Sequence, residues 1–328
     1  MKKNLFTAAL FLAFGASFCG AQEWGPSYIP DIPKAMGSAV QEVCTVIKEV
    51  SWSPKQPKVG EAFRVVADLF LDGEITDGRI QEVSVHGSYP DGSEWMELAR
   101  PVGPTATQWT CTVPGAPCAG SLSFRLEVKD SMGNRTVQLP VRETSWPPAN
   151  EELFEVLIDW PAEEVVCPCV DLSSVEMALT EEDLVVRMVS EGGIRVADER
   201  WFLYGVAADR RDYAKQDQGD ELGSASFLIY IPFLFKALLI NPEKLFDLSV
   251  TEFLAGPGDA DTLFLEDRLI MRIPRAQFKA AGDAPFKLIA LSLALDARKG
   301  FELSALSGGD GSPYVLVYPG VQTLEISN

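Results

Sequence analysis

The chain has 328 residues, and at roughly 100–200 residues per domain this length predicts two domains. Hydrophobic residues make up 47% of the chain and charged residues 23%, a composition that excludes wholesale disorder. The 28 basic and 47 acidic side chains give a formal net charge of −19, which argues against nucleic acids and anionic membrane surfaces as partners because both would be repelled. His86 is the only histidine, so a site with several histidine ligands is excluded and a histidine-based catalytic device has a single position to use.

Residues 1–21 have the pattern of a secretory signal peptide. Lys2 and Lys3 form a short positive region, an apolar stretch follows at 5–14, and small residues at the −3 and −1 positions place the cleavage site before Gln22. The apolar stretch is too short to span a bilayer stably. We therefore expect an exported protein that is periplasmic, extracellular or located at the cell surface.

The export signal has an alternative interpretation. If residues 1–21 were a lipoprotein signal, Cys19 would carry a lipid anchor. No segment after residue 21 reaches about 18 uninterrupted apolar residues, so the sequence predicts no transmembrane helix. Residues 22–42 form an N-terminal extension before the first strand pattern.

Residues 43–144 predict a β-sandwich. Seven β-rich runs are separated by strong turn formers such as Asp72-Gly73 and Gly133-Asn134. The predicted strands are 43–52, 62–71, 79–89, 94–100, 107–113, 121–129 and 135–141. Seven strands in about 100 residues are what an immunoglobulin-type sandwich requires.

Two segments of this domain resemble bacterial extracellular immunoglobulin-like or fibronectin-III-like modules. The segments at 51–54 (Ser-Trp-Ser-Pro) and 59–61 (Val-Gly-Glu) are similar to the opening of such a module, and 124–134 is similar to its closing hairpin. The resemblance covers residues 43–142. It implies a spacer or adhesion unit rather than a catalyst.

Five cysteines follow the predicted cleavage site, and an oxidising compartment favours disulfides among them. Cys111 and Cys118 flank the turn-rich segment 112–117. This spacing predicts a Cys111–Cys118 disulfide that joins two adjacent strands.

A second pair of cysteines lies in the sequence Cys167-Pro168-Cys169. Reactive dithiols usually have two residues between the cysteines, and the acidic residues that surround this pair would raise rather than lower a thiol pKa. A structural role is therefore expected, in which one of the two pairs with Cys44 or with its own neighbour.

Residues 145–150 are proline-rich and form a predicted linker between the two domains. The charge changes at this point. Residues 22–144 carry 11 basic and 16 acidic side chains, a net charge of −5, whereas residues 145–328 carry 15 and 31, a net charge of −16.

Residues 151–328 predict a second β-sandwich. The run at 151–160 is either a strand or a short helix, and 233–246 is expected to form a helix or an irregular crossover. The predicted strands are 171–179, 184–189, 201–207, 224–231, 262–273, 286–295, 301–306 and 314–317. The whole chain is thus predicted to be all-β, with two sandwiches in tandem.

The second domain resembles the DOMON-like and family-9 carbohydrate-binding β-sandwiches. The similarity lies in three segments, at 171–189, 201–209 and 265–274. It implies a module that binds sugar or haem or has no known ligand. The second domain has no histidine, which counts against a haem site.

The loop at 209–221 concentrates carboxylates, which are hard oxygen ligands of the kind that Ca²⁺ prefers. The candidate ligands of a structural calcium ion are Asp209, Asp212, Asp217, Asp220 and Glu221. The alternative is a solvated acidic loop, because three basic residues partly neutralise it and its spacing is not that of an EF-hand. No other cofactor is expected.

The sequence predicts a non-catalytic protein with a binding or scaffold role. Its expected partner is an envelope protein, a surface protein or a glycan. It contains no GxSxG elbow, phosphate loop or HExxH motif. The alternative is a true carbohydrate-binding module of a polysaccharide-processing system, whose candidate sugar-stacking residues are Trp201, Tyr204, Tyr213 and Tyr230. A third interpretation, a glycoside-active enzyme, depends on the carboxylate pairs Asp259 and Asp261 or Glu266 and Asp267.

Overall fold

The structure is a computed structural model that describes residues 44–72, 80–103, 107–131, 133–144, 146–148, 154–159, 168–194, 200–209, 226–231, 236–240, 261–265, 267–276, 282–296, 306–311 and 315–328. In these ranges the chain forms twenty β-strands and a 3-10 turn at Pro168–Val170. They contain no helix that is both long enough and apolar enough to cross a membrane. The predicted all-β fold class is confirmed.

The strands divide between two compact units, which we call the first and the second sandwich. The first sandwich comprises Glu42–Val141 and Pro313–Asn328, and the second lies within Arg142–Ser312. In chain order the strands are β1 (Cys44–Ser53), β2 (Phe63–Asp72), β3 (Ile80–Ser88), β4 (Glu94–Leu98), β5 (Arg100–Pro101), β6 (Gln108–Val113), β7 (Gly120–Asp130), β8 (Arg135–Leu139), β9 (Glu155–Asp159), β10 (Leu172–Leu179), β11 (Asp183–Ser190), β12 (Arg200–Asp209), β13 (Ser226–Ile231), β14 (Lys236–Ile240), β15 (Asp261–Phe264), β16 (Arg268–Pro274), β17 (Phe286–Asp296), β18 (Leu306–Gly311), β19 (Val315–Pro319) and β20 (Gln322–Ile326).

Two sheets form the first sandwich. One has the order β1-β2-β6-β5. The other has the order β4-β3-β7, with β8 and β20 both paired to β7 and with β19 paired in parallel to β8. In the lettering of immunoglobulin folds the first eight strands give A-B-E-D and C′-C-F-G, so the predicted immunoglobulin-type sandwich is confirmed.

Alternation along the strands fills the space between these two sheets. On β7, Leu122, Phe124, Leu126 and Val128 are at most 1% exposed, while the residues between them face outward. Burying an apolar side chain of this size contributes roughly 1.5–3 kcal/mol. The buried residues from other strands that share this core include Phe63, Val65, Ala67, Leu69, Val83, Val85, Trp109, Cys111, Val113, Leu324 and Ile326.

The end of the chain belongs to the first sandwich, which corrects the predicted domain of residues 151–328. On β20, Leu324 pairs with Leu122 of β7, and its side chain is 4% exposed within the core. The Tyr318 hydroxyl accepts a hydrogen bond of 3.0 Å from the Ile47 N–H. The prediction was wrong here because strand alternation shows which face is buried but not which distant strand is the partner.

The second sandwich also has two sheets. One has the order β15-β16-β11-β10-β9, and the other places β14, β13, β12, β17 and β18 side by side. The predicted strand at 262–273 is two strands, since a turn closed by the Leu265 N–H and the Arg268 carbonyl separates β15 from β16. The helix or crossover predicted at 233–246 contains a strand, β14.

Charges in the second sandwich are paired across strands. Glu176 of β10 lies opposite Arg187 of β11, and the two buried side chains form an ion pair. The guanidinium group of Arg187 also lies 4.4 Å from the centre of the Phe154 ring. Such pairing satisfies charged groups that would otherwise be costly to remove from water.

We predict that Leu324→Ala destabilises the first sandwich by about 2–4 kcal/mol, because it opens a cavity in that core. Native-state hydrogen exchange of the β7 amides measures this, and they should exchange faster. The matched variant Glu325→Ala changes an exposed neighbour and should shift stability by less than about 0.5 kcal/mol. Unchanged exchange on β7, with faster exchange on β10 and β11, would contradict the assignment of β20.

Candidate functional site

β4 forms one edge of the first sandwich. Among the described strands β4 ends the order of its sheet and pairs with β3. The pairing is regular and has no bulge, with Met96 opposite His86 and Trp95 opposite Gly87. In the part of the chain that the structure describes, the other side of β4 is therefore a sheet edge.

The backbone polar groups of β4 alternate between β3 and this edge. The Ala99 N–H donates a hydrogen bond of 2.8 Å to the Val83 carbonyl, just beyond the end of β4. Because hydrogen-bonded pairs alternate along an antiparallel ladder, the odd-numbered residues of β4 direct their N–H and C=O groups toward β3. The residues that direct these groups outward are Glu94, Met96 and Leu98.

The contact between Trp95 and Gly87 determines which face of β4 is buried. A Cβ atom added at Gly87 would lie 2.3 Å from Cζ2 of Trp95, so the indole occupies the space that any other residue would need. The Trp95 ring also packs edge-on against Phe63 of the facing sheet, with 6.5 Å between ring centres. Trp95 is thus held on the inner face, and its neighbours on β4 are held on the outer face.

The outer face of β4 exposes two large apolar side chains. Met96 is 56% exposed and Leu98 is 55% exposed, the highest values among the large hydrophobic residues of the described chain. They lie two residues apart on one face, directly beside the outward N–H and C=O groups. This combination of free backbone groups and apolar side chains suits an added strand.

Carboxylates surround this edge. The Ser93 hydroxyl and then the Ser93 N–H donate to Asp91 at 2.6 and 3.0 Å, and they hold the pKa of this exposed carboxyl below its usual value, so it is ionised. Burial, followed by the charges of Glu97 and Asp91, raises the pKa of Tyr89. Burial, followed by the charge of Glu97, raises the pKa of Cys111 to about 11. The charge of Glu97 on β4 therefore contributes to the raised pKa of both Tyr89 and Cys111.

The single histidine lies on the neighbouring strand in an ion-pair cluster. Nε2 of His86 lies 2.9 Å from the Ser84 hydroxyl and 3.9 Å from Oε2 of Glu127, and Glu127 also pairs with Arg135. A Ser-His-acid device needs the acid on the other ring nitrogen from the serine. Because one nitrogen faces both groups here, this cluster does not have the geometry of a catalytic triad.

The predicted calcium ligands lie outside the described side chains. Asp209 ends β12, but its side chain is not described, and Asp212, Asp217, Asp220 and Glu221 lie outside the described residues. Within the described ranges, no three side chains of the types His, Cys, Asp and Glu come together to hold a metal ion. The calcium site stays a prediction. The same holds for Cys19 and for the signal peptide, which lie outside the described residues.

One of the four predicted sugar-stacking residues lies in the core of the second sandwich. Tyr204 is completely buried, and its hydroxyl donates a hydrogen bond of 2.7 Å to the Cys169 carbonyl, so it is a core residue and not a ligand residue. The side chains of Trp201 and Tyr230 are not described, and Tyr213 lies outside the described residues. The register pairs Tyr230 with Tyr204 on adjacent strands.

The predicted Cys111–Cys118 disulfide is not formed, and both thiols are free. The strands that these cysteines were expected to join belong to different sheets, since β6 lies in one sheet and β7 in the other. Strand alternation directs Cys111 into the core, where it is 7% exposed. Cys169 does form a disulfide, as expected for one member of its pair.

Sequence reasoning identified β4 as a strand but missed its position at an edge. The available signal was the sequence of Glu94–Leu98, in which apolar side chains occupy three positions and so cannot all lie on one face. A strand with apolar residues on both faces is either covered on both sides or exposes an apolar face. The order of strands in the sheet decides between these two cases.

No protein-family model matches the chain, and no curated protein matches it. Similar solved structures include a Salmonella alpha-2-macroglobulin variant, with 10% identity, a TM-score of 0.19, and coverage of 82% of this chain and 14% of that one. A DUF4785 family protein from Legionella pneumophila has 9% identity and a TM-score of 0.20 over 75% of this chain and 52% of that one. A segment of two fibronectin type-III domains from chicken tenascin has 8% identity and a TM-score of 0.18 over 81% and 97%. The chain thus spans about half or less of the first two proteins, and its fold assignment is based on the sheet order alone.

We predict that Gly87→Ala destabilises the first sandwich by about 1–3 kcal/mol, because the new methyl group must displace the Trp95 indole. Urea unfolding followed by tryptophan fluorescence measures the change. Ser88→Ala, a substitution at the next residue of β3, serves as the control and should cost less than about 0.5 kcal/mol. Equal stability of Gly87→Ala and the unchanged protein would show that the indole is not fixed by this contact.

Proposed function

We propose that this chain is an exported, non-catalytic binding module that captures an extended segment of another protein as an added strand on β4. The observation that carries this proposal is the outward-facing backbone of β4 beside exposed Met96 and Leu98. In strand addition, main-chain hydrogen bonds supply affinity and alternate side chains supply specificity. β4 offers both of these features.

The comparison with the other edges of the first sandwich supports the choice of β4. Natural sheets block unwanted pairing with bulges, prolines, lysines and very short edge strands. The edge strand β1 has a bulge between Ile47 and Glu49, and the edge strand β5 is only the dipeptide Arg100–Pro101. β4 has five regularly paired residues and contains neither proline nor lysine. Of these three described edge strands, β4 is therefore the one most open to a partner strand.

Export is part of the proposal and is supported by two features. The signal-peptide pattern of residues 1–21 directs a chain out of the cytoplasm. The disulfide at Cys169 is typical of an oxidising compartment. Together they favour a partner in the envelope or at the cell surface.

We propose no ligand for the second sandwich. Its resemblance to DOMON-like and family-9 carbohydrate-binding domains stays a prediction, and so does the alternative of a carbohydrate-binding module. No described contact favours a sugar or a hydrolytic reaction over protein binding. The β4 edge therefore defines the proposed function.

The proposal predicts that a model strand binds to β4. The probe is the capped peptide Val-Lys-Val-Lys-Val-Lys-Val with methylated lysine amides, which leaves the valine N–H groups free. Because a residue opposite Met96 must direct its N–H to β4, this peptide docks with valine opposite Met96, and its other edge cannot add further peptides. Fluorescence anisotropy of the labelled peptide measures binding to the full chain.

Met96→Pro should weaken binding of this probe at least about tenfold, since it removes an outward N–H without removing a hydrogen bond to β3. Ser121→Ala, an exposed substitution on β7, is the control and should bind like the unchanged chain. The same peptide with all of its amides methylated has no edge that can donate hydrogen bonds, so it should not bind. Equal binding of the alternately and the fully methylated peptides, or of Met96→Pro and the unchanged chain, would refute strand capture at β4.

A further inference from the structure

The side chains near the β4 edge carry a net negative charge, which favours one kind of captured segment. Residues 91–100 carry three carboxylates, Asp91, Glu94 and Glu97, and one guanidinium group, Arg100, which gives a net charge of −2. Arg100 belongs to β5, which pairs with β6 of the facing sheet. Among the described side chains of this half of the sheet, the ion pairs join β3, β7 and β8.

Glu97 has a special position on this edge. Its side chain is half-buried on the inner side of β4, on the same face as Trp95. Its charge contributes to the raised pKa of Tyr89 and Cys111. An inward-facing charge on an edge strand normally discourages pairing, because an added strand would cover the charge. A covered carboxylate costs free energy unless a cation pairs with it. Glu97 therefore discriminates between partner strands.

The register defines which partner residues meet which side chains. Residues directly opposite on adjacent strands have Cβ atoms about 4.5–5.5 Å apart and interact as pairs. The partner residues opposite Met96 and Leu98 lie on the outer face and should be apolar. The residue between them lies opposite Glu97 on the inner side, where lysine or arginine completes an ion pair.

A second copy of this chain is disfavoured as the occupant. Each copy has a formal net charge of −19, so two copies repel each other. Pairing two β4 edges would bring six carboxylates of residues 91–97 into one small interface. Charge complementarity instead favours a cationic segment from a different protein.

We propose that the segment captured on β4 is cationic, with apolar residues alternating with lysine or arginine along an extended strand. This inference rests on the proposed function, because it names the chemistry of the partner at that same edge. Apolar side chains pack on Met96 and Leu98, and the basic side chain between them meets Glu97.

Three peptides test the inference with the full chain. All have the Val-X-Val-X-Val-X-Val sequence with the X amides methylated, and X is lysine, threonine or glutamate. At low salt the lysine peptide should bind at least about tenfold more tightly than the glutamate peptide, with the threonine peptide between them. The difference should shrink in about 1 M salt, where the screening length is only about 3 Å.

Variants of the chain localise the effect. Glu97→Gln should weaken binding of the lysine peptide by roughly three- to tenfold and leave the threonine peptide no weaker. The matched control is Glu325→Gln, which removes one exposed carboxylate from another strand and should have little effect. An equal loss in this control would overturn the inference, since the overall charge would then attract the peptide.

The outcomes separate this inference from the proposed function. If all three peptides bind equally and all lose affinity in Met96→Pro, strand capture stands and the cationic partner is refuted. If no peptide shows binding that depends on Met96, strand capture itself fails. If sedimentation shows a dimer that Met96→Pro dissolves, the occupant is a second copy and the inference is overturned.

Discussion

The packing of the Trp95 indole over Gly87 is the contact on which the account of β4 depends. Side chains alternate strictly along a strand, so fixing one residue on the inner face fixes all of the others. With Trp95 inside, Met96 and Leu98 are held outside, and their backbone groups point to the open edge. A shift of one residue would bury these two side chains and expose the indole. The same contact places Glu97 on the inner side, where its charge selects among partners.

The sandwich that carries this edge is built from both ends of the described chain. β20 pairs with the first half of β7, and β8 pairs with the second half, so one side of β7 is shared by strands that lie far apart in sequence. The buried side chains of Leu324 and Ile326 complete the core under β7. β4 lies on the opposite side of β3 from β7, at the far edge of the same sheet. Among the described strands, β20 thus covers part of one side of β7, and β4 ends the strand order on the other side.

The sequence predicts local structure well where one strand face is buried. The prediction at 121–129 corresponds to β7 (Gly120–Asp130), because its apolar residues alternate without interruption. The sequence does not predict pairing between strands that are distant in the chain, and this is why β20 was assigned to the wrong domain. The open edge of β4 was missed for the same reason, since an edge is a property of sheet order. Tyr204 was misassigned because alternation alone does not show which face of β12 is buried.

Amide hydrogen exchange along β4, resolved residue by residue by NMR in the full chain, tests the central claim most directly. The account predicts fast exchange at Glu94, Met96 and Leu98 and slow exchange at Trp95 and Glu97, because only the second set donates to β3. Adding the valine–lysine peptide should slow exchange at the first set. Uniform exchange along β4, or no change at Met96 when the peptide is bound, would contradict the claim that this strand presents an open edge for a partner.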